Sequence, residues 1–291
     1  MRLAFLGTPD AAVPALRALV DAGHDVEIVI TRPDRKRGRG GALSASPVKV
    51  AAEGMGLRVG HRVSDIDGLG VERGVVVAYG AMISAALLER VPMLNVHFSL
   101  LPRWRGAAPV QRAILAGDEV TGVSVMSLEA ELDTGPVHVT RELEVDMKTA
   151  SELTKELANL GATALLEVLA SPQLLDHPHA QRGEVTYAEK LTKETLHLTP
   201  AMDSQLALRT VRVEGAFTIV NDRRLRVLKA HAGPPSVGMA GSLARSEGAI
   251  LLVGEHGSLA LDRVQAEGST PMAALAWWSG ARVDASSATW S

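Results

Sequence analysis

A continuous apolar run, Val75-Val76-Val77-Ala78-Tyr79, decides the fold class of this chain. It has the length of a strand and begins with β-branched residues, which favour strands over helices. A strand with one face in water would alternate apolar and polar residues, and this run does not alternate. The run therefore predicts a central strand of a parallel sheet that is covered on both faces.

The segments on the N-terminal side of this run alternate between strand and helix patterns. Residues 3–6 and 26–30 are apolar and strand-like, and between them apolar residues recur at helical spacing until Gly23. Farther along, Ser46 and Pro47 supply an N-cap and a first-turn residue for a helix that runs to about residue 53. This alternation predicts a doubly wound α/β sheet, whose ligands lie beyond the carboxyl ends of the strands.

The length of the chain favours two domains, and the composition changes near residue 171. Thr149 and Glu152 have the spacing of a capping box, and the leucine-rich helix that they open ends before Ser171. The next residues are rich in proline, histidine and charged side chains, which is typical of a connector. We therefore expect a first domain at residues 1–171, a linker at 172–193 and a second domain at 194–291.

The second domain has a different pattern. Turn signals separate short strand-like runs at residues 216–220, 224–228, 241–243, 250–253 and 258–264. This pattern predicts a small β-barrel or sandwich. We expect the Ser- and Ala-rich end from Asp284 to be a loose tail.

The composition excludes several classes of protein. Apolar residues make up 46% and charged residues 22% of the 291 residues, as in an ordinary globular protein. A formal net charge of −3 gives no general attraction to phosphate backbones, so contact with nucleic acid needs a local basic patch. Cysteine is absent, which excludes disulfides and thiolate chemistry. Metal-spaced histidine pairs and apolar runs of transmembrane length are missing, so we expect neither a metal site nor a membrane.

Three polar side chains are the candidates for chemistry. Asn95 and His97 are two residues apart in a predicted strand, so both side chains point to the same face. The amide can polarise a carbonyl group while the imidazole transfers protons, and Asp133 follows in a glycine-bearing loop. A lone strand histidine is more often structural, but polar groups are costly inside an apolar sheet, which favours a site here. Together the three resemble acyl-transfer machinery.

Two segments leave alternatives open. Asp133-Thr134-Gly135 also fits an ordinary turn, or the triplet of aspartic proteases, although nothing else in the chain supports a protease fold. Residues 32–41 carry five basic side chains among glycines, which fits either a solvated loop or an arm that contacts a polyanion. The Walker and G-x-G-x-x-G signatures are absent, which argues against nucleotide hydrolysis and nicotinamide chemistry.

The order of the motifs resembles that of the methionyl-tRNA formyltransferase family. The strongest similarity covers Asn95-Val96-His97, residues 99–109 and Leu132-Asp133-Thr134-Gly135. Further matching motifs lie at residues 5–10, 32–34, 37–40, 46–49, 77–80, 186–188 and 190–193. The resemblance covers nearly the whole N-terminal domain and is weaker in the C-terminal domain.

This resemblance implies a Rossmann-like domain with a doubly wound, mostly parallel sheet, followed by a smaller C-terminal OB-like β-barrel domain. It implies transfer of a formyl group from 10-formyltetrahydrofolate to initiator methionyl-tRNA, by a cytoplasmic monomer without a metal. Asn95, His97 and Asp133 match the catalytic residues of the family. The implied folate contacts are Ser99, Leu100, Leu101, Pro102, Tyr79, Gly80 and Met82, and the implied tRNA contacts are Arg35, Arg37 and Arg39.

The chain departs from the family pattern at a few positions. Phe98 replaces a small residue beside the folate turn, although strand alternation directs it away from His97. Gly41-Ala42 and Ser269-Thr270 stand where basic pairs are expected, and residues 212–215 replace a Pro- and Trp-containing segment. Two other functions are therefore weighed: an N-formyltransferase for an amino-sugar nucleotide, and a catalytically decayed paralogue that binds folate or RNA.

Overall fold

The computed structural model describes residues 1–37, 42–235, 238–246, 248–281 and 288–291. The chain divides into two compact units, which we describe separately. The first unit contains Met1–Val110, Val120–Glu144 and Leu153–Glu189, and the second contains Gln111–Glu119, Val145–Glu152 and Lys190–Ser291. Residues 172–189 of the expected linker thus belong to the first unit. The domain boundaries at residues 171 and 193 stay a prediction.

Strands and helices alternate through the first two thirds of the chain. The strands are β1 Arg2–Gly7, β2 Asp25–Ile30, β3 Arg35–Arg37, β4 Ala42–Ser44, β5 Val59–Gly60, β6 Arg73–Val77, β7 Met93–His97, β8 Arg105–Gly106, β9 Val120–Ser127, β10 Val137–Glu144 and β11 Tyr187–Ala188. The α-helices are α1 Val13–Asp21, α2 Pro47–Gly54, α3 Ala85–Arg90, α4 Pro109–Ala116, α5 Ala150–Ala170 and α6 Pro172–Asp176. Short 3-10 helices cover Asp10–Ala12 and Val63–Ile66.

Seven of the described strands form one sheet in the order β10-β9-β7-β6-β1-β2-β5, while β8 pairs with β11 and β3 pairs with β4 in two-stranded sheets. The strands from β7 to β5 in this order run parallel, and β9 and β10 add two antiparallel strands at one edge. β6 lies between β1 and β7, and its residues from Gly74 to Val77 are buried. The predicted Rossmann-like, mostly parallel sheet is confirmed, with Val75–Val77 of the apolar run at its centre, whereas Ala78 and Tyr79 follow the end of the strand.

Both helix starts that the capping patterns predict are present. The side chain of Ser46 accepts a hydrogen bond from the backbone nitrogen of Lys49 at 3.0 Å, and α2 begins at Pro47. The backbone nitrogen of Thr149 donates to the Glu152 carboxylate at 2.8 Å, while that of Glu152 donates to the Thr149 hydroxyl. These bonds lower the pKa of the Glu152 carboxyl below its ordinary value. Such caps contribute about 1 kcal/mol each to helix stability.

The second unit is built around an antiparallel sheet. Its elements are α7 Lys193–Leu196, α8 Ser204–Arg212, β12 Phe217–Val220, β13 Arg223–Ala232, β14 Leu243–Ser246, β15 Ala249–Gly254, β16 Gly257–Ala266, β17 Met272–Ala273 and α9 Ala274–Ala281. The described strands follow the order β12-β13-β16-β15-β14, and β17 pairs with β16. This curled sheet agrees with the small barrel that the turn spacing predicts. Its buried core includes Trp277 and Trp278.

The expected loose tail is wrong for the last four residues. Ala288 and Trp290 are buried in the core of the second unit. The indole nitrogen of Trp290 donates to the Val253 carbonyl at 3.0 Å, and Trp290 also forms a β-bridge with Val220. Burial of a large indole with its N–H satisfied overrides the local Ser- and Ala-rich composition. Residues 282–287 lie outside the described residues.

Across the part of the chain that the structure describes, no helix combines the length and the apolar character needed to cross a bilayer.

Candidate active site

Asn95 and His97 lie on β7, near the carboxyl end of a strand in the middle of the sheet. β7 pairs in parallel with β6 and in antiparallel with β9, which fixes its register on both sides. The Nδ1 atom of His97 lies 3.7 Å from the Oδ2 atom of Asp133, and both side chains are almost fully buried. The structure therefore brings the imidazole and the carboxylate together, and strand alternation places Asn95 on the same face as His97.

The hydrogen bonds of His97 define which ring nitrogen faces the site. Nε2 lies 2.9 Å from the carbonyl oxygen of Trp104. A carbonyl oxygen only accepts, so Nε2 carries a hydrogen and donates it. Nδ1 is thus the ring atom that is directed towards Asp133. The 3.7 Å separation between them is too long for a hydrogen bond, so Nδ1 is available to another partner.

Asp133 is held in an unusual backbone conformation. Its φ of +54° lies in the left-handed region, which disfavours a non-glycine residue by about 1–2 kcal/mol. The backbone nitrogen of Gly106 donates to Asp133 Oδ2 at 2.8 Å, which compensates part of the burial of this carboxylate. Asp133 is thus a buried carboxylate with a backbone N–H partner, and the loop is not a solvent-exposed turn at this residue.

Gly135 shows why the loop needs a glycine two residues after Asp133. A Cβ atom at this position would lie 1.9 Å from the carbonyl oxygen of Ser127. The backbone of the loop and the end of β9 therefore approach each other too closely for any side chain. This contact fixes the distance between the Asp133 loop and the sheet.

Asn95 presents a free amide. It is partly exposed, in contrast to its buried strand neighbours Leu94 and Val96. Its side chain makes no hydrogen bond with the described part of the chain. Its backbone position is set by pairing with Val76 and Met126. A rigid strand thus holds an amide whose donors are free for a ligand.

The turn at residues 99–102 is fixed from within the sheet. Ser99 is fully buried, and its hydroxyl donates to the carbonyl oxygen of Arg103. The hydroxyl of Ser124 donates to the Ser99 carbonyl at 2.7 Å and accepts from the Leu101 nitrogen at 3.1 Å. The Leu101-Pro102 peptide bond is cis. Leu100 lies against Gly122, where an added Cβ would be 2.6 Å from its Cδ2 atom. The Ser99 hydroxyl therefore supports the turn instead of facing outward.

Phe98 points away from the candidate site. Its ring packs at Gly161 of α5, where an added Cβ would lie 3.6 Å from Phe98 Cε1 and 2.6 Å from Val96 Cγ1. Phe98 thus shares the side of β7 that carries Val96, opposite to His97. The glycine in α5 makes room for these side chains.

Tyr79 and Gly80 line a different feature, a pocket of about 280 Å³ at the carboxyl ends of β1, β2 and β6. The pocket groups these two residues, expected on folate, with Arg35, expected on tRNA. Burial raises the pKa of the Tyr79 phenol above its ordinary value. The remaining lining residues are Thr8, Pro9, Arg32, Pro33, Ser44, Ser46 and Ala78. None of the three candidate catalytic residues is in this lining.

The remaining residues that the family resemblance assigns to folate or tRNA are Met82 and three arginines. Met82 is 83% exposed. Arg35 and Arg37 bound strand β3, which pairs with β4, but only the backbone of Arg37 is described. Arg39 lies outside the described residues.

Two residues of the expected linker contact the site, and the residue pattern alone does not single them out. The side-chain nitrogen of Gln181 donates to the carbonyl oxygens of Asp133 and Gly135, each at 2.8 Å. The hydroxyl of Thr186 accepts from the Trp104 nitrogen at 2.9 Å. Thr186 begins one of the matching family motifs, which is a signal for this segment, whereas the sequence offers none for Gln181.

Comparison with known proteins identifies the family. The family model described as formyl transferase matches residues 1–169, and the formyl transferase C-terminal domain matches residues 204–282. A methionyl-tRNA formyltransferase from Rhizorhabdus wittichii is 44% identical over 294 residues, which cover 94% of this chain and 93% of that protein. The chain belongs to the methionyl-tRNA formyltransferase family. The resemblance of its motifs to this family is confirmed.

Solved structures agree on the fold. A methionyl-tRNA formyltransferase from Clostridium thermocellum superposes with a TM-score of 0.57 at 16% identity, over 91% of this chain and 98% of that protein. HypX from Aquifex aeolicus in complex with tetrahydrofolic acid superposes with a TM-score of 0.69 at 17% identity, over 96% of this chain and 47% of that chain. At these identities the likeness shows the shared architecture alone.

Proposed function

We propose that this protein transfers a formyl group from 10-formyltetrahydrofolate to the α-amino group of initiator methionyl-tRNA. The 44% identity to a methionyl-tRNA formyltransferase along 94% of the chain carries this proposal. The buried His97–Asp133 pair and the free amide of Asn95 support it, because they form a site suited to acyl transfer. The names of these relatives do not favour the two alternatives, which are an enzyme with an amino-sugar nucleotide as acceptor and a catalytically decayed paralogue.

Asn95 and His97 are the donors for the charge that develops in this reaction. When the amine nitrogen attacks the formyl carbon, negative charge develops on the formyl oxygen and positive charge on the nitrogen. The Asn95 amide donates to that oxygen, and a protonated Nδ1 of His97 donates to it as well, because Nε2 is bonded to the Trp104 carbonyl. Losing one such donor typically lowers the rate by about 10²–10³.

Asp133 is the acceptor for the amine proton in this proposal. Its carboxylate is held by the Gly106 N–H and faces His97, so it stabilises the imidazolium and takes up the proton from the attacking nitrogen. The bond between the formyl carbon and folate nitrogen 10 then breaks, and that nitrogen takes up the proton that Asp133 received, which gives tetrahydrofolate and returns Asp133 to its carboxylate form. General acid–base catalysis of this kind contributes about 10²–10⁴.

The substrate contacts follow the family assignment. We assign the folate to the turn of Ser99, Leu100, Leu101 and Pro102, together with Tyr79, Gly80 and Met82. The acceptor end of the tRNA is assigned to Arg35, Arg37 and Arg39. In the pocket, the exposed Arg35 and the neighbouring Arg32 provide positive charge for a phosphate backbone. The same proposal includes a cytoplasmic location, a monomer and a reaction without a metal ion.

A comparison of acceptors tests the function. The purified protein is incubated with 10-formyltetrahydrofolate and one of three acceptors: charged initiator tRNA, uncharged tRNA or an amino-sugar nucleotide. The release of tetrahydrofolate is measured in each reaction. We expect turnover with the charged tRNA alone. Turnover with the sugar nucleotide alone would assign the protein to the other acceptor class. Folate binding without turnover of any acceptor would instead identify a decayed paralogue.

A further inference from the structure

The two residues that face the nitrogen atoms of the His97 ring share an uncommon backbone conformation. Nε2 donates to the Trp104 carbonyl, and Nδ1 faces the Asp133 carboxylate. Trp104 has a φ of +63° and Asp133 has a φ of +54°, so both are non-glycine residues in the left-handed region. Such conformations persist only where surrounding contacts fix them. The contacts that fix these two residues therefore also fix the catalytic ring.

Both residues are fixed by one segment, residues 181–188. Thr186 holds Trp104: its hydroxyl accepts from the Trp104 nitrogen, and its carbonyl accepts from the Arg105 nitrogen, each at 2.9 Å. β11 in this segment pairs with β8, and a Cβ at Gly106 would lie 2.9 Å from the Ala188 carbonyl oxygen. The strand that carries the Gly106 N–H is thus set by the same segment.

Gln181 holds Asp133. Its Nε2 atom donates to the carbonyl oxygens of Asp133 and Gly135, and its Oε1 atom accepts from Arg105 Nε at 3.0 Å and Nη2 at 2.6 Å. Carbonyl oxygens only accept and the guanidinium only donates, so this orientation of the amide is the single one that satisfies all partners. Both amide hydrogens are used within one closed network.

We propose that Gln181 is a positioning residue for formyl transfer, which sets the Asp133 carboxylate against His97 Nδ1 and the Gly106 N–H. The proposal rests on the proposed function. Without Gln181, two carbonyls of the Asp133 loop lose their partner, and the left-handed residue is free to relax. A displacement of about 1 Å in a reacting group lowers turnover by about 10²-fold.

Three variants separate positioning from packing. Gln181→Met removes every polar contact at nearly constant size. Gln181→Glu keeps an acceptor for Arg105 but has no hydrogen to donate to the two carbonyls. Gln173→Met is the matched control, because Gln173 is an exposed glutamine of α6, which lies in the expected linker before residues 181–188.

The readouts are steady-state kinetics and the ¹⁵N spectrum of the His97 ring in the full-length protein. We expect kcat to fall about 100-fold in both Gln181 variants, with KM for 10-formyltetrahydrofolate within about twofold of the parent. The His97 ring signals should shift in both variants and stay unchanged in Gln173→Met.

Wild-type kcat and unchanged His97 signals in folded Gln181→Glu would overturn the proposal. An equal fall in Gln173→Met would overturn it too. If Gln181→Met fails to fold by circular dichroism, Gln181→Glu carries the test. If the parent protein does not formylate charged tRNA, that measurement refutes the proposed function. The His97 ring signals of the Gln181 variants still show whether Gln181 positions the ring and the Asp133 carboxylate.

Discussion

Gly135→Ala tests how closely the Asp133 loop must approach the sheet. The new Cβ would lie 1.9 Å from the Ser127 carbonyl oxygen, whereas real Cβ atoms essentially never come within 3.0 Å of another heavy atom. The loop must therefore move by about 1.1 Å. The contact involves backbone on one side and a fixed Cβ on the other, so no side-chain rotation can relieve it.

A movement of this size has two expected effects. Overpacking typically lowers the free energy of unfolding by about 1–3 kcal/mol. A displacement of about 1 Å at the Asp133 carboxylate lowers kcat by about 10²-fold. Formyl transfer under saturating substrates measures the second effect, and urea unfolding measures the first.

Gly54→Ala is the control for this substitution. Gly54 ends α2, has no heavy atom within 4 Å of an added Cβ, and has no left-handed φ. We expect it to keep the parent kcat and to change stability by less than about 1 kcal/mol. A folded Gly135→Ala protein with the parent kcat would refute the claim that this close approach positions the Asp133 carboxylate for the proposed reaction.

Three further outcomes are expected. Asn95→Ala should lower kcat by about 10²–10³ without changing the melting temperature, because in the proposed mechanism its amide donates to the formyl oxygen, and it donates to no described residue. A loss below threefold would contradict this. Ser124→Ala leaves the Ser99 carbonyl and the Leu101 nitrogen without their buried partner, so urea unfolding should show a loss of about 1–3 kcal/mol, and KM for the formyl donor should rise. Burial lowers the pKa of His138 below its ordinary value of 6.5, so the folded state binds fewer protons and stability should fall as the pH drops below 6.5. Urea unfolding at about pH 7.5 and pH 5.5 should show this fall, and His138→Gln should reduce it, whereas an unchanged pH dependence would contradict it.

The central sheet is predictable because its strands are coded locally. Residues 3–6, 26–30 and 75–77 are apolar, and they lie in three neighbouring parallel strands. The predicted strand at 75–79 ends two residues early, because Ala78 has a φ of +48°. The pairing of β8 with β11 is different, since two residues on each strand meet across a long stretch of sequence. Such a short ladder has no periodicity to detect, and only the tertiary fold creates it.

The candidate site likewise combines features that the local sequence predicts with contacts that only the tertiary fold creates. Strand alternation predicts that Asn95 and His97 share a face, and β7 is a strand. Residue types alone do not reveal that Nε2 is bonded to a backbone carbonyl. Gln181 bonds to Asp133 and Arg105, which lie 48 and 76 positions away in the sequence. The residues next to Gln181 therefore give no local signal for these contacts. Trp290 is a third case, in which burial of one large side chain overrides the composition around it.

The chain carries four tryptophans, and Trp104 is the one that belongs to the first unit. Its carbonyl holds the His97 ring, while the Arg103 guanidinium lies 4.5 Å from the centre of its indole. Replacing Trp277, Trp278 and Trp290 with phenylalanine would leave Trp104, the residue whose carbonyl contacts His97, as the single tryptophan. Its emission would then follow the arrival of folate and tRNA in real time, without an attached dye.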